Sequence, residues 1–570
     1  MSQPLRVGNA SGFYGDRFSA VREMLEGGPL DVLTGDYLAE LTMLILGRGK
    51  MKDPDAGYAA TFLRQMEDSL GLAAERGTTI VANAGGLNPR GLADRLRELA
   101  GRLGIDVRIA HVEGDDLLPR AEELDLADAR HGPPLTANAY LGAWGIVECL
   151  RAGADVVVTG RVTDASLVVG PAAAHFGWAR DDWDALAGAT VAGHVLECGA
   201  QATGGNYAFF QEIYNVKAPG FPIAEIHPDG SSVITKHDGT GGAVTVETVT
   251  AQLLYEIGAP SYAGPDVTTR FDTIAPARDG PDRVRISGVR GVPPPPSTKV
   301  CLNHLGGHRN EMTFVLTGLD VEAKAELAKA QLEAALAEAR PARVEWTLIG
   351  APGPDPATQG EATALLRCAV LDPDPEKVGR AFSGAVVELA LAGYPGFTMT
   401  SPPGKGGPCG VYTPAYVPNE AIEHVAVTHD GEGIAIPAAP LVRDLEVSTE
   451  SPPAGAVPPG ATVRAPLGRV AGARSGDKGG DANIGVWART HAQWRWLEPF
   501  LTTERLRELL PETREHTVHR HVLPNLRAVN FVVEGLLQEG VSASTRFDPQ
   551  GKALGEWLRS RLVDIPEAVL

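Results

Sequence analysis

The sequence predicts an α/β protein: a large N-terminal domain with a mainly parallel sheet and an α+β extension, followed by a small C-terminal α+β domain. Three observations carry this prediction. Short apolar runs alternate with amphipathic stretches from residue 5 to about 165, the chain turns β-rich from 190 to 445, and SPPAGAVPPGA at 451–461 precedes a last unit with its own strand and helix signals. The boundaries read as 1–445, with the βα series over 5–190 and the β-rich extension over 190–445, then a Pro/Gly-rich linker over 446–461, then 462–570.

Taken in order, the apolar run Leu5 to Val7 leads into GNASGFYGD, and Asp31 to Leu33 leads into TGDY. Thr79 to Ala82 leads into NAGGLNP, Val107 to Ala110 into HVEGDD, and Val156 to Val158 into TGRVTD. Between them RGLADRLRELAGRL and LGAWGIVECLRAGA carry helical periodicity and close on glycine. A βα series builds a parallel sheet whose ligands bind beyond the carboxyl ends of its strands, so the five polar loops are expected along one edge. Further on, IAEIHPDGSSVITKHDG predicts a hairpin about Pro-Asp-Gly, and VCLNHLGGHRNEMTFVLTG predicts strand, loop, strand. The helix VEAKAELAKAQLEAALAEA follows.

Composition narrows the class of protein. The chain has 570 residues with 67 glycines and 43 prolines and no repeat period, so the excess belongs to ordered turns and loops. A net charge of -20 argues against a nucleic-acid or anionic-membrane surface, although backbone amides and a few arginines still suit a small anion. The start MSQPLRVGNASGF lacks a basic, apolar leader, and no apolar run reaches the roughly 20 residues of a membrane span, so a cytoplasmic location is expected. Cys149, Cys198, Cys301, Cys368 and Cys409 are odd in number and form no CxxC pair, which speaks against a disulfide framework or a cysteine zinc site. No GxGxxG follows the first strand, and the chain has neither a Walker A loop nor a GxSxG elbow.

Several constellations carry chemistry. In VVVTGRVTDASL, Arg161 suits a carboxylate or phosphate, and Asp164 is either a catalytic carboxylate or a helix cap. Asn83 stands at the mouth of the third strand as a ligand-binding amide. In GHVLECGAQATGGNY a helical turn would place His194, Glu197 and Cys198 on one face, with Asn206 following. Imidazole beside carboxylate is a general acid/base pair; Cys198 is either a reactive thiol or a buried, inert one. The spacing lacks the second histidine of HExxH, so no metal site is assigned. KHDGTGG sets His237, Asp238, Gly241 and Gly242 either as a phosphate cradle or as a hairpin exit. STKVCLNHLGGHRN offers Lys299 on a polar loop, and SPPGKGGPCGVYTP reads as a lid or rigid connection. ARSGDKGGDANIGVWA concentrates Arg474, Asp477 and Lys478, in a binding or interdomain role.

Four of these segments, VTGRVTDASL, GHVLECGAQATGGNY, FPIAEIHPDGS with TKHDGTGG, and ARSGDKGGDANIGV, occur in the order found in the acyclic terpene utilisation (AtuA-like) family, formerly a domain of unknown function, and the chain resembles that family over nearly its whole length. The resemblance implies a ferredoxin-like fold for the C-terminal domain. It also implies a place in the degradation of branched or isoprenoid acids as acyl-CoA thioesters, beside biotin-dependent acyl-CoA carboxylases and enoyl-CoA hydratases. It supplies no residue roles.

The function expected is therefore an acyl-CoA catabolic enzyme of lyase or hydratase type. His194 with Glu197 would move the proton, Asp164 would be a second carboxylate, and Arg161 with Gly241 and Gly242 would hold a carboxylate or phosphate. No cofactor is required, acyl-CoA being the substrate, and a homo-oligomer is expected. Two alternatives stand beside it. One is a non-catalytic partner of an acyl-CoA carboxylase that docks through residues 462–570; the other is a metal-dependent phosphate-ester hydrolase built on Asp115 and Asp116.

Overall fold

The computed structural model describes residues 3–128, 130–446 and 460–570, so most of the expected linker lies outside the described residues. The N-terminal domain is organised on an 11-stranded sheet. Its parallel centre comprises β1 (Leu5–Asn9), β2 (Val32–Gly35), β3 (Thr79–Ala82), β6 (Val156–Thr159) and β4 (Ile109–Glu113), side by side in that order. Helices cover both faces, so the strands are apolar throughout instead of alternating with polar residues. In β6 the side chain of Val157 joins one core while Val156 and Val158 join the other, and Val81 divides from Ile80 and Ala82 in β3 in the same way. Helices Ala20–Gly27, Ala60–Arg76 and Pro89–Leu103 close one face; Trp144–Arg151, Ser166–Phe176 and Trp183–Leu196 close the other.

The predicted hairpin about Pro-Asp-Gly is present as β7 (Pro222–Ile226) and β8 (Ser232–Lys236). It does not begin a separate layer. β7 pairs antiparallel with β1, and strands Arg283–Ser287 and Ala275–Gly280 continue the same sheet outward. Val425–Val427 and Gly433–Ala435 extend the other edge beyond β4. Much of the β-rich extension is therefore flanking strand for the βα series.

The remainder forms a 6-stranded sheet around one strand of 21 residues, Ser297–Thr317. Strand, loop, strand was expected there because of Gly306 and Gly307. The ladder instead passes through, with a register shift between Leu305 and His308 that takes up the glycine pair as a bulge. His304 and His308 are strand residues, bonded to the Thr413 hydroxyl and the Pro373 carbonyl. Gly407–Pro418 is also a strand of this sheet, so of the two readings of that segment, lid or rigid connection, the second fits: it is in large part a rigid ladder with Cys409 buried in it. One strand was not expected: β5 (Thr136–Ala139), inside the βα series, leaves the parallel sheet and pairs with Val300 to Asn303.

The C-terminal domain is an antiparallel sheet of Ala471–Lys478, Asp481–Ala488, Ala528–Val533 and Val518–Leu523, in that spatial order. Helices His491–Phe500, Thr503–Leu509 and Leu554–Ser560 close its core. The pairing order is that of a ferredoxin-like sheet whose chain starts one strand early, as ββαββα. The sheet docks on the N-terminal domain through buried amides. Asn483 accepts from the Glu256 N–H at 2.7 Å and donates to the Leu254 carbonyl at 3.1 Å, while Asn530 donates to the Gly258 carbonyl at 2.8 Å. Among the described residues no helix is long and apolar enough to cross a membrane.

Candidate active site

The carboxyl ends of the parallel strands converge on one buried polar cluster. Asn9 ends β1, Asp36 follows β2, Asn83 follows β3, Asp115 follows β4 and Arg161 follows β6, and each is almost fully buried. Asn9 donates from Nδ2 to the Leu196 carbonyl at 2.6 Å, tying the sheet edge to the end of helix Trp183–Leu196. Asn83 accepts from the Tyr37 N–H at 2.7 Å and donates to Asp36 at 2.6 Å. Asp115 accepts from the Arg161 N–H and from Asn138, both at 2.8 Å. Gly160 leaves room for this: a Cβ there would stand 2.2 Å from an Asp115 carboxylate oxygen.

Arg161 is the central cation. Its guanidinium donates to Asp164 at 2.6 Å and lies 4.3 Å from the centre of the Tyr140 ring. Asp164 is 30 % exposed and forms the solvent side of this group. Burial, with Asp164 adding to it, holds the Asp36 carboxyl well above the usual carboxylate range in spite of Arg161. The helix carrying His194 ends at Leu196, and Glu197 caps it in helical geometry. His194 Nδ1 therefore stands 3.2 Å from a Glu197 oxygen, as the one-face reading expects. The imidazole packs against Tyr262 and Phe271, with ring centres at 5.6 and 5.4 Å, and among the described residues neither ring nitrogen makes a hydrogen bond, Nδ1 standing at ion-pair distance from Glu197 and Nε2 meeting no partner. Burial raises the Glu197 carboxyl, with His194 opposing and Asp164 reinforcing the shift, so this pair and the Arg161–Asp164 pair belong to one electrostatic unit.

A second group adjoins the first across Tyr140. Tyr140 donates its hydroxyl to Glu40 at 2.8 Å, and Lys299 Nζ lies 4.8 Å from the same ring. Burial would raise the Glu40 carboxyl, yet Lys299 and Arg161 pull it down to about 2. The C-terminal domain completes the edge. Its hairpin brings Lys478 to 5.6 Å from the Tyr262 ring and Asp477 to 3.0 Å from Lys552 Nζ, which also pairs with Glu256 at 2.8 Å. Burial and Glu256 push Asp477 up to about 6.

The sequence-predicted residues thus divide. Asn83, Arg161, Asp164, His194, Glu197, Lys299 and Lys478 come together. Cys198 lies beside them, but burial and then Glu197 hold its thiol far above the usual range, the reverse of what a thiolate nucleophile needs. Arg474 is spent on docking: its guanidinium donates to the Gln201 side chain and the Asn206 carbonyl and stacks on Tyr255, while the Asn206 side chain is exposed.

His237, Asp238, Gly241 and Gly242 form a separate turn. His237 bonds the Met24 carbonyl at 2.9 Å, and Asp238 is exposed. A Cβ on Gly241 would stand 2.4 Å from two carbonyl oxygens, and Gly242 has φ +81. These glycines let backbone pass backbone, and the Gly242 and Ala243 N–H groups donate to the Tyr214 and Thr203 carbonyls, which fits the hairpin-exit alternative. Asp36, Glu40, Tyr140, Glu256 and Lys552 were missed. For Asp36 and Glu40 the signal existed, since TGDYLAE is one of the strand-end loops.

Among the described residues no three His, Cys, Asp or Glu side chains are placed to hold a metal ion. The Asp115–Asp116 cluster that the hydrolase alternative needs is not assembled, because Asp115 serves the Arg161 loop. A surface cleft lined by Trp144, Arg180, Asp266 and His424 shares only Tyr140 with the buried cluster.

Burial pushes Asp115 up to about 7, against its two hydrogen bonds. Between about pH 4, where a free carboxyl ionises, and pH 7 the folded chain keeps a proton that the unfolded chain has released, so stability falls as pH rises through that window. Asp115→Asn is expected to flatten the fall of the urea midpoint over those pH values. An unchanged slope would show that Asp115 ionises normally.

Fold and site together define a two-domain α/β protein with a closed acid–base cluster at the carboxyl ends of a parallel sheet. The family model described as acyclic terpene utilisation family protein AtuA matches residues 5–428, and that of the AtuA ferredoxin-like domain matches 465–564. The chain belongs to the acyclic terpene utilisation family, AtuA. Comparison with curated proteins and with solved structures returns no match.

Proposed function

We propose that this chain is an enzyme of branched or isoprenoid acyl-CoA degradation that moves a proton at the carbon next to an activated carbonyl, in a lyase or hydratase reaction. Its family's link to acyclic terpene utilisation fits that setting. The observation that carries the proposal is the buried His194–Glu197 pair with a free Nε2. Nε2 takes or gives the substrate proton, and Glu197 orients the ring through Nδ1 and answers its charge. Arg161 stabilises the oxygen on which negative charge develops, in a setting dry enough to make that attraction strong. Asp164, at the solvent side, serves the second proton.

The docking of the C-terminal domain bears on the carboxylase-partner alternative, because one face of that domain is taken up by its own N-terminal domain. The test is native mass spectrometry of the purified chain against a set of branched acyl-CoAs, followed by turnover without any carboxylase subunit. Retained acyl-CoA with turnover supports the enzyme. Retained ligand without turnover, regained on adding carboxylase subunits, favours the partner.

A further inference from the structure

Lys299 is an amine whose ammonium makes no hydrogen bond among the described residues. Its Nζ lies 4.8 Å from the centre of the Tyr140 ring and 5.5 Å from that of Tyr412, and no hydrogen bond or ion pair to it forms among the described residues. The backbone fixes this placement. β5 pairs with Val300 to Asn303, and the Tyr140 N–H donates to the Lys299 carbonyl at 2.9 Å, so ring and amine come from adjacent strands. Tyr412 comes from the strand on the other side, opposite Asn303. Its hydroxyl is buried and makes no hydrogen bond among the described residues. The C-terminal hairpin presses on it: a Cβ at Gly479 would stand 2.6 Å from the Tyr412 ring, and this turn sets the exposed Lys478 beside the lysine.

An ammonium used only for structure finds a carboxylate, and an ammonium that binds anions is well hydrated. Lys299 bears on Glu40 electrostatically, yet among the described residues it forms no ion pair, and Glu40 accepts instead from the Tyr140 hydroxyl. We propose that Lys299 is a nucleophilic amine that condenses with the carbonyl of a ketone or aldehyde substrate to form an imine, with Tyr412 as the proton carrier. Burial and the like charge of Lys478 both favour the neutral amine, against Glu40. In the first step the Nζ lone pair forms a bond to the carbonyl carbon, the carbonyl oxygen takes up a proton, and the nitrogen gives one up. In the second the hydroxyl of this carbinolamine leaves as water on a proton from Tyr412 Oη, and the remaining N–H proton returns to Oη as C=N forms. No oxidant or reductant enters. Burial, and then Glu40, disfavour a phenolate, so Tyr412 Oη gives its proton only as it receives the one from nitrogen, and no charge is left on the ring.

The inference goes beyond the thioester reading, since an amine attacking a thioester gives an amide. It stands on residues other than His194. The test is reductive trapping of the full chain with levulinate, a keto acid, and sodium cyanoborohydride, read by peptide mass spectrometry. The peptide bearing Lys299 is expected to be alkylated severalfold faster than that of any other lysine, and Tyr412→Phe is expected to slow it severalfold without slowing the others. Labelling of Lys299 no faster than that of exposed lysines overturns the proposal in the wild-type protein, where folding is not in question. Absent trapping beside intact acyl-CoA turnover removes the imine alone; trapping without acyl-CoA turnover removes the thioester reading alone.

Discussion

Replacing His194 with alanine is expected to lower turnover of a branched acyl-CoA by about 10²- to 10⁴-fold, the span that a positioned general acid or base contributes. Among the described residues the imidazole has one polar neighbour, Glu197, at 3.2 Å, and its Nε2 meets no hydrogen-bond partner. A side chain buried to 1 % exposure with a free ring nitrogen is poorly explained by packing alone. Truncation removes contacts with Tyr262 and Phe271 but orphans no backbone group, so the fold survives with a modest loss of stability. Glu197, whose carboxyl burial already raises, then takes a proton instead of standing as a bare charge. Steady-state rates with circular dichroism and a thermal melt check this. A folded variant within a few-fold of wild type would remove His194 from the mechanism.

Arg161→Met is expected to destabilise the N-terminal domain by about 3–5 kcal/mol, the usual cost of leaving a buried charge without its partner. The arginine is 3 % exposed, donates to Asp164 at 2.6 Å, and bears on Asp36 and Glu40 as well. Without it three carboxyl groups face one another, and two of them must take up protons or draw in water. The β6 loop keeps its shape, since the Asp115 bond comes from the Arg161 backbone and not its side chain. Urea unfolding of Arg161→Met, with Arg161→Met/Asp164→Asn beside it, checks the account: the second change is expected to restore part of the loss. Equal midpoints for wild type and Arg161→Met would mean that the arginine does not hold the cluster together.

What the sequence made legible follows physical range. Strands with one apolar run each, and helices closed by glycine, are local signals, so the βα series and its strand-end residues Asn83, Arg161 and Asp164 are legible in the sequence. His194 and Glu197 are three residues apart on one helix, and that spacing alone brings them together. Contacts across long loops have no such signature. Tyr140 meets Glu40 because β5 joins a strand 160 residues later, and Lys552 meets Glu256 only through domain docking. Glycine was the most misleading letter. Gly306 and Gly307 read as a break but make a bulge in an unbroken ladder, and Gly241 and Gly242 read as a cradle but let carbonyls pass. Both uses need a missing Cβ, and the neighbour that requires its absence is distant in sequence.

The hairpin turn at Gly479 and Gly480 gives the site a timetable. Domains fold in order as a chain is made, N-terminal first. A growing chain can assemble Arg161, His194 and Glu197 long before Lys478 and Asp477 have been synthesised. The acid–base half then waits, open on one side, until the last hundred or so residues have folded and settled onto Leu254 and Glu256. On the proposed enzyme reading, activity in a lysate would count finished molecules and not merely folded N-terminal domains.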